Sequence, residues 1–169
     1  MREIVASQAE LSLPREAWSD HPRYPRQTLL LRSHESFRLF SQTLVARSKT
    51  GTTHAALNGL FRQLMGSMRG HEGYEEHKLY PYLEHRWGLD LMPLRVDHQH
   101  LHDMEDDVYN ALSGHGSVHD ALLAHSQELD DHLDREEQLV IPALLALHPI
   151  EFDRYYRGHI GELLDDTGR

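Results

Sequence analysis

An all-α, up-down-up-down four-helix bundle is the fold this sequence predicts, and three observations predict it. Four long stretches repeat apolar residues at helical spacing, and short Gly-containing breaks separate them. One eleven-residue phrase, H-x3-E-E-x4-P, occurs twice, on the second and the fourth stretch. Its first copy runs from His71 through Glu75 and Glu76 to Pro81, its second from His132 through Glu136 and Glu137 to Pro142. At about 3.6 residues per turn, His and Glu four apart lie on one side of a helix, one turn above each other. An imidazole nitrogen and a carboxylate oxygen then reach one cation from a single rigid element. Two such helices facing each other supply four ligands to a shared centre. A lone H-x3-E arises easily by chance among 15 histidines; the whole frame twice, proline included, does not.

The elements follow in order. Residues 1–26 hold Pro14, Pro22 and Pro25 with little periodicity and read as an irregular arm with room for one short helical turn. The bundle domain is expected over 27–164, its C-terminal extension included. The first helix, about Gln27 to Lys49, carries Leu30, Leu31, His34, Phe37, Ser41 and Val45 within a third of the wheel. Gly51 and the threonines after it stop that helix and cap the next. The second, about Thr53 to Arg86, has the inner stripe Leu57, Leu60, Leu64, Met68, His71, Glu75 and Tyr82. Trp87-Gly88 ends it. The third, about Leu91 to Ser113, has Leu94, His98, His102, Glu105, Tyr109 and Leu112 inward. Gly114 and Gly116 break the chain again. The fourth, about Ser117 to Leu147, has Val118, Ala121, His125, Leu129, His132, Glu136 and Ala143 inward, and Pro149 stops it. Residues 150–164 read as a short terminal helix. Pro81 and Pro142 each sit inside a predicted helix at roughly 3 kcal/mol; each either ends or kinks its helix there, or shapes a bend beyond the metal level.

Composition narrows the function. A length of 169 residues suits one domain with a real core. The net charge of -10 argues against nucleic acid or an anionic membrane as partner, and no basic run offsets it. With no Cys, disulfides, iron–sulfur clusters, thiolate zinc and thiol catalysis are excluded. A bound metal must take N and O ligands, which suits iron, manganese or zinc rather than copper(I). No apolar run approaches membrane-spanning length, and the N-terminus lacks a signal-peptide core, so the expectation is a cytoplasmic protein.

In an antiparallel bundle, residues equally far from a turn sit at equal height. His98 and His132 each lie about 15 residues from the Gly114–Gly116 turn, roughly 22 Å from that end at 1.5 Å per residue. His34 and His71 lie about 16 and 18 residues either side of Gly51, and His102 aligns best with Glu75 across the Gly88 turn. Each helix therefore brings an inward histidine to nearly one depth.

That set, His34, His71-x3-Glu75, His98-x3-His102 and His132-x3-Glu136 on four successive helices, resembles hemerythrin and its bacterial hemerythrin-like (HHE cation-binding) relatives. The phrases Glu-Glu-x-x-Leu-Tyr-Pro and Leu-x-x-His-Leu-x-x-Glu-Glu look especially like the HHE branch. The resemblance covers about residues 27–147. It implies two iron ions, oxo-, hydroxo- or aqua-bridged, in preference to zinc or manganese, with Glu75 and Glu136 as bridging carboxylates. The other ligands implied are His34, His71, His98 and His132, with His102 as a fifth histidine or else as a holder of Glu75 or Glu105. Hemerythrin places two histidines on its third helix, which His98 and His102 match. On the fourth helix the carboxylate here stands four residues after its histidine, as in HHE proteins, rather than five, and this turns the reading away from an oxygen carrier.

The remaining polar residues read more plainly. His125 lies two turns from His132 and reads as a bundle-end or supporting histidine. Glu105 reads as reaching solvent, and Glu76 and Glu137, about 100° round from the ligands, as solvated or inter-helix groups. Tyr74, Tyr82 and Tyr109 read as core, with a hydroxyl near the centre as a mechanistic lever. His77, His85, His100, His115, His119, His148 and His159 read as surface histidines. The implied function is a di-iron protein that binds or senses dioxygen or related small molecules, or holds iron; the alternative is an enzyme turning over peroxide or nitric oxide. A dry pocket around Leu30, Phe37, Leu64 and Leu101 would favour binding, and an acid or phenol within it turnover. A third reading is a structural zinc bundle. The partner expected is a small diatomic or peroxide ligand, and Phe37, Phe40 and exposed leucines offer a face for a homodimer.

Overall fold

The structure, a computed structural model, describes residues 8–24, 30–160 and 162. Every element among them is helical: α1 (Gln8–Leu11), a 3₁₀ segment (Arg15–Asp20), α2 (Leu31–Ser48), α3 (His54–Tyr74), a π segment (Glu75–Leu79), α4 (Tyr80–Trp87), α5 (Met92–Leu112), α6 (Val118–Leu145) and α7 (Pro149–Tyr156). The chain forms two compact units. One comprises Ser33–Gly73 and Met92–Asp134, the other Met1–Arg32, Tyr74–Leu91 and Arg135–Arg169.

The first of these is the bundle. Phe37 and Leu44 of α2, Leu57, Phe61, Leu64 and Met65 of α3, Leu101, Val108 and Ala111 of α5, and Val118, Leu122, Leu129 and Leu133 of α6 fill one apolar core. These are the i, i+3, i+4, i+7 positions that give each helix a single inward stripe. The contacts fix the topology. His34 meets His71 across α2 and α3, and Phe61 meets Tyr109 while Arg69 meets Glu105 across α3 and α5. His98 meets His132 across α5 and α6. Arg38 meets Asp134 and Ser48 meets His119 across α2 and α6. Across α3 and α5, and across α2 and α6, residue numbers rise on one helix as they fall on the other, so those neighbours run antiparallel, as expected. Phe37 belongs to this core and Phe40, partly buried, packs against it.

The second unit caps the C-terminal half of α6. Trp18 is buried, with its indole N–H donated to the Leu13 carbonyl. The Arg23 guanidinium donates to the carbonyl oxygens of Leu145 and Leu147, where the helix end leaves carbonyls without helical partners. The arm is thus tied down, with α1 and the 3₁₀ segment in place of the single turn expected. On α7, His148 and Glu151 form a reciprocal capping box at the N-terminus. The Glu151 carboxylate also accepts from Tyr82 at 2.7 Å and Arg86 at 2.8 Å. The Trp87 indole N–H reaches the Ala143 carbonyl at 3.1 Å.

Boundaries depart from expectation at three places. The first helix starts at Leu31 because Leu30 takes a positive φ of 62°, a left-handed conformation that cannot begin a right-handed helix; the expected start at Gln27 lies outside the described residues. The second predicted helix is one unbroken path, but its residues Glu75–Leu79 are π-helical, and the Tyr80 N–H bonds to the Glu75 carbonyl five residues back. Pro81 follows in the first turn of α4, where its missing N–H is easiest to accommodate. Pro142, by contrast, lies within α6, which continues to Leu145. Neither proline ends its helix. No helix among the described residues is long and apolar enough to cross a membrane.

Candidate metal centre

Two pairs of histidines face inward in the bundle unit. His34 is fully buried, and its Nε2 lies 3.0 Å from Nε2 of His71. Phe37 packs edge-on against the His71 ring at 5.2 Å. His98 and His132, both buried, bring their ring centroids to 4.6 Å, and His132 Nδ1 stands 3.5 Å from Asp97 Oδ2. These are the pairs that counting from the turns sets at equal height.

The carboxylates belong to the other unit. Glu75 opens the π segment at 1% exposure and Glu136 lies on α6 at 0%, with ligand oxygens within 4.8 Å of one another. Phenols surround them. Tyr80, also at 0%, donates its hydroxyl to Glu136 Oε1 at 2.7 Å. Burial, and then the charges of Glu136 and Glu75, hold the Tyr80 proton far above the usual tyrosine range. Burial and Glu75 push Tyr74 up to about 12. Burial, then Tyr74 and the two carboxylates, raise Tyr155 as well. All three phenols stay protonated at neutral pH, and Tyr80 donates to Glu136.

Helix continuity joins histidine to carboxylate, since His71 precedes Glu75 and His132 precedes Glu136 by one turn on an unbroken path. The His34–His71 pair and the Glu75–Glu136 pair each supply candidate cation donors. These donors are imidazole nitrogen and carboxylate oxygen on a chain without Cys, a set that fits iron and equally manganese or zinc.

The sequence model of the hemerythrin HHE cation binding domain matches residues 27–144. The chain belongs to that family. No curated protein and no solved structure matches it. Membership of the HHE family carries cation binding with it, and the helical bundle and the candidate donors agree with that.

Several residues of this HHE domain sit where the sequence did not place them. His102, aligned by counting with Glu75, has a 42% exposed side chain and binds Glu72 instead, Nε2 to Oε2 at 2.9 Å. Glu105 is buried rather than solvated, because Arg69 of α3 meets its Oε1 at 2.5 Å. Glu137 is likewise buried at 1%, paired with Arg15 of the N-terminal arm at 2.9 Å. His125 is buried in the bundle core against Phe61, at a ring distance of 5.3 Å. His119 bonds Ser48 and His148 caps α7; the rest of the histidines read as surface groups, His77, His85, His100, His115 and His159, are exposed. Tyr80, the phenol nearest a carboxylate, was passed over for Tyr74, Tyr82 and Tyr109. The signal for it was Pro81 one residue later, which marks a helix whose phase need not stay α-helical.

Proposed function

We propose that this HHE domain holds two iron ions and binds dioxygen or a related small molecule there, or keeps the iron itself. In this reading His34, His71, His98 and His132 would hold the iron together with the carboxylates of Glu75 and Glu136. The observation that carries it is the inward facing of His34 on His71, with Glu75 one turn after His71 along the same helical path. Iron bound by such a set supplies one-electron redox change and a position for a small ligand. The chain's own residues do the rest. Tyr80 fixes one oxygen of Glu136 and so orients the other. Phe37, buried in the apolar core, packs against the His71 ring, and the Arg69 guanidinium pairs with Glu105.

Metal content by mass spectrometry on untagged protein tests the reading, with the visible spectrum before and after dithionite and air. About two irons per chain, with near-ultraviolet bands that bleach and return, support it; zinc alone, or no metal, sinks it. The second reading is a di-iron enzyme that turns over peroxide or nitric oxide. The Tyr80 phenol against Glu136 favours it, since a buried hydroxyl there is a fixed hydrogen-bond donor at the site. Peroxide consumption above the free-iron background, diminished in Tyr80→Phe, separates the two.

A further inference from the structure

Glu136 is followed on α6 by two features that would, left to themselves, loosen the helix. The next residue, Glu137, carries its carboxylate at 1% exposure, where a charge needs a cation beside it. Pro142 then lies inside the helix, so the Gln138 carbonyl finds no N–H at residue 142, and such a break costs roughly 3 kcal/mol. The N-terminal arm meets α6 on both sides of that break. Before it, Arg15 forms an ion pair with Glu137 at 2.9 Å. The same guanidinium sits over the ring of Trp18, 5.1 Å from its centroid, and Trp18 is itself buried. After the break, Arg23 donates to the carbonyl oxygens of Leu145 and Leu147. The two grips stand about ten residues apart, roughly 15 Å of helix.

We propose that the N-terminal arm splints this stretch of α6, and that Arg15 thereby keeps Glu136 in place for the metal. The inference deepens the iron reading and rests on it for the metal. Arg15 is a positioning residue, since it acts on Glu136 through the residue next to it. With the arm seated, the ion pair offsets the burial of Glu137, and Arg23 satisfies carbonyls that the helix end leaves over. Without the Arg15 contact, the stretch from Glu137 to Leu147 opens more readily than the whole chain unfolds, because the proline has already removed one of its hydrogen bonds. The Glu136 carboxylate, at the edge of that stretch, is then free to turn away.

Two measurements test this on the full chain. In metal-free protein, amide hydrogen exchange over residues 137–147 is read by peptide mass spectrometry beside urea unfolding of the same variant. Arg15→Ala is expected to speed exchange there about tenfold, the low end for a contact to a charged group. That exchange should outrun the global unfolding of the variant; exchange no faster than global unfolding overturns the proposal. In iron-loaded protein, transfer of iron to ferrozine after reduction is expected to run about tenfold faster in Arg15→Ala. Arg15→Lys, which keeps the charge, is expected to recover most of the retention. In a Pro142→Ala background, where the helix regains its hydrogen bond, the effect of Arg15→Ala is expected to shrink below about twofold. The same factor in both backgrounds overturns the splint. A wild type that takes up no iron sinks the iron reading, while the exchange measurement still decides whether the arm holds α6.

Discussion

The hydroxyl of Tyr80 donates to Oε1 of Glu136 at 2.7 Å, and both side chains are fully shielded from solvent. A donor so placed does two things for a buried carboxylate: it lowers the penalty of its charge and holds one rotamer. Hydrogen bonds to charged groups are worth roughly 1.5–3 kcal/mol. Tyr80→Phe is therefore expected to destabilise metal-free protein by about 2 kcal/mol in urea unfolding. An unchanged midpoint would remove Tyr80 from any account of the site.

Glu75 and Glu136 should respond in opposite senses with and without metal. Glu75→Ala or Glu136→Ala is expected to bring iron well below the wild-type content. In chelator-treated protein, Glu75→Gln is expected to raise stability by about 1 kcal/mol, because it removes one of two buried like charges. Iron assay and chemical unfolding on the same preparations check both. A Glu75→Gln protein less stable than wild type when metal-free would contradict the like-charge argument.

His125 makes stability fall with acid. Burial lowers its pKa from the ordinary 6.5 to about 4, so the folded state binds its proton later than the unfolded state. Between about pH 6.5 and 4 the unfolded chain takes up a proton that the native core refuses, and stability drops as pH falls. The full loss is roughly 3 kcal/mol at 1.36 kcal/mol per pKa unit. His125→Leu should flatten that part of the stability–pH curve, measured by urea unfolding at stepped pH on metal-free protein. A curve as steep as wild type would place the acid sensitivity elsewhere.

Arg15 joins the N-terminal arm to the buried Glu137. The guanidinium is half exposed, so water screens part of the interaction, yet its loss removes the cation from a carboxylate at 1% exposure. Arg15→Ala is expected to lower stability by about 1–2 kcal/mol. Glu137→Gln, which removes the buried charge itself, is expected to lower it less. Thermal melts of both variants decide it, and equal losses would mean the charge plays no part.

What the sequence disclosed depended on whether a regular helix was enough to find it. His34, His71, His98 and His132 were legible because antiparallel helices convert residue counts into heights, and α2, α3, α5 and α6 keep regular spacing up to those positions. Glu75 and Glu136 were legible from the repeated phrase. Tyr80 was not, because the π segment shifts the phase of everything after Glu75. Glu137 lies off the stripe that periodicity marks, and Glu105 lies on it but near a helix end; the partners that hold them, Arg15 and Arg69, are ones a single helical wheel does not contain. The contact of Glu72 with His102 escaped for the same reason, since the two lie on different helices.

The two copies of H-x3-E-E-x4-P are identical in spacing, yet the backbone treats them differently: π-helical from Glu75 to Leu79, α-helical through Glu136 to Leu145. A single-turn π bulge amounts to one residue more than an α-helix of the same span would use. The first copy therefore carries slack. Deleting the exposed Lys78 should let that turn close into α-helix and leave the residues beyond it on their present faces. Deleting the exposed Gln138 has no such reserve to draw on, and it would swing every later residue of α6 by about 100°. One copy of the phrase is thus tolerant of a lost residue and the other is not.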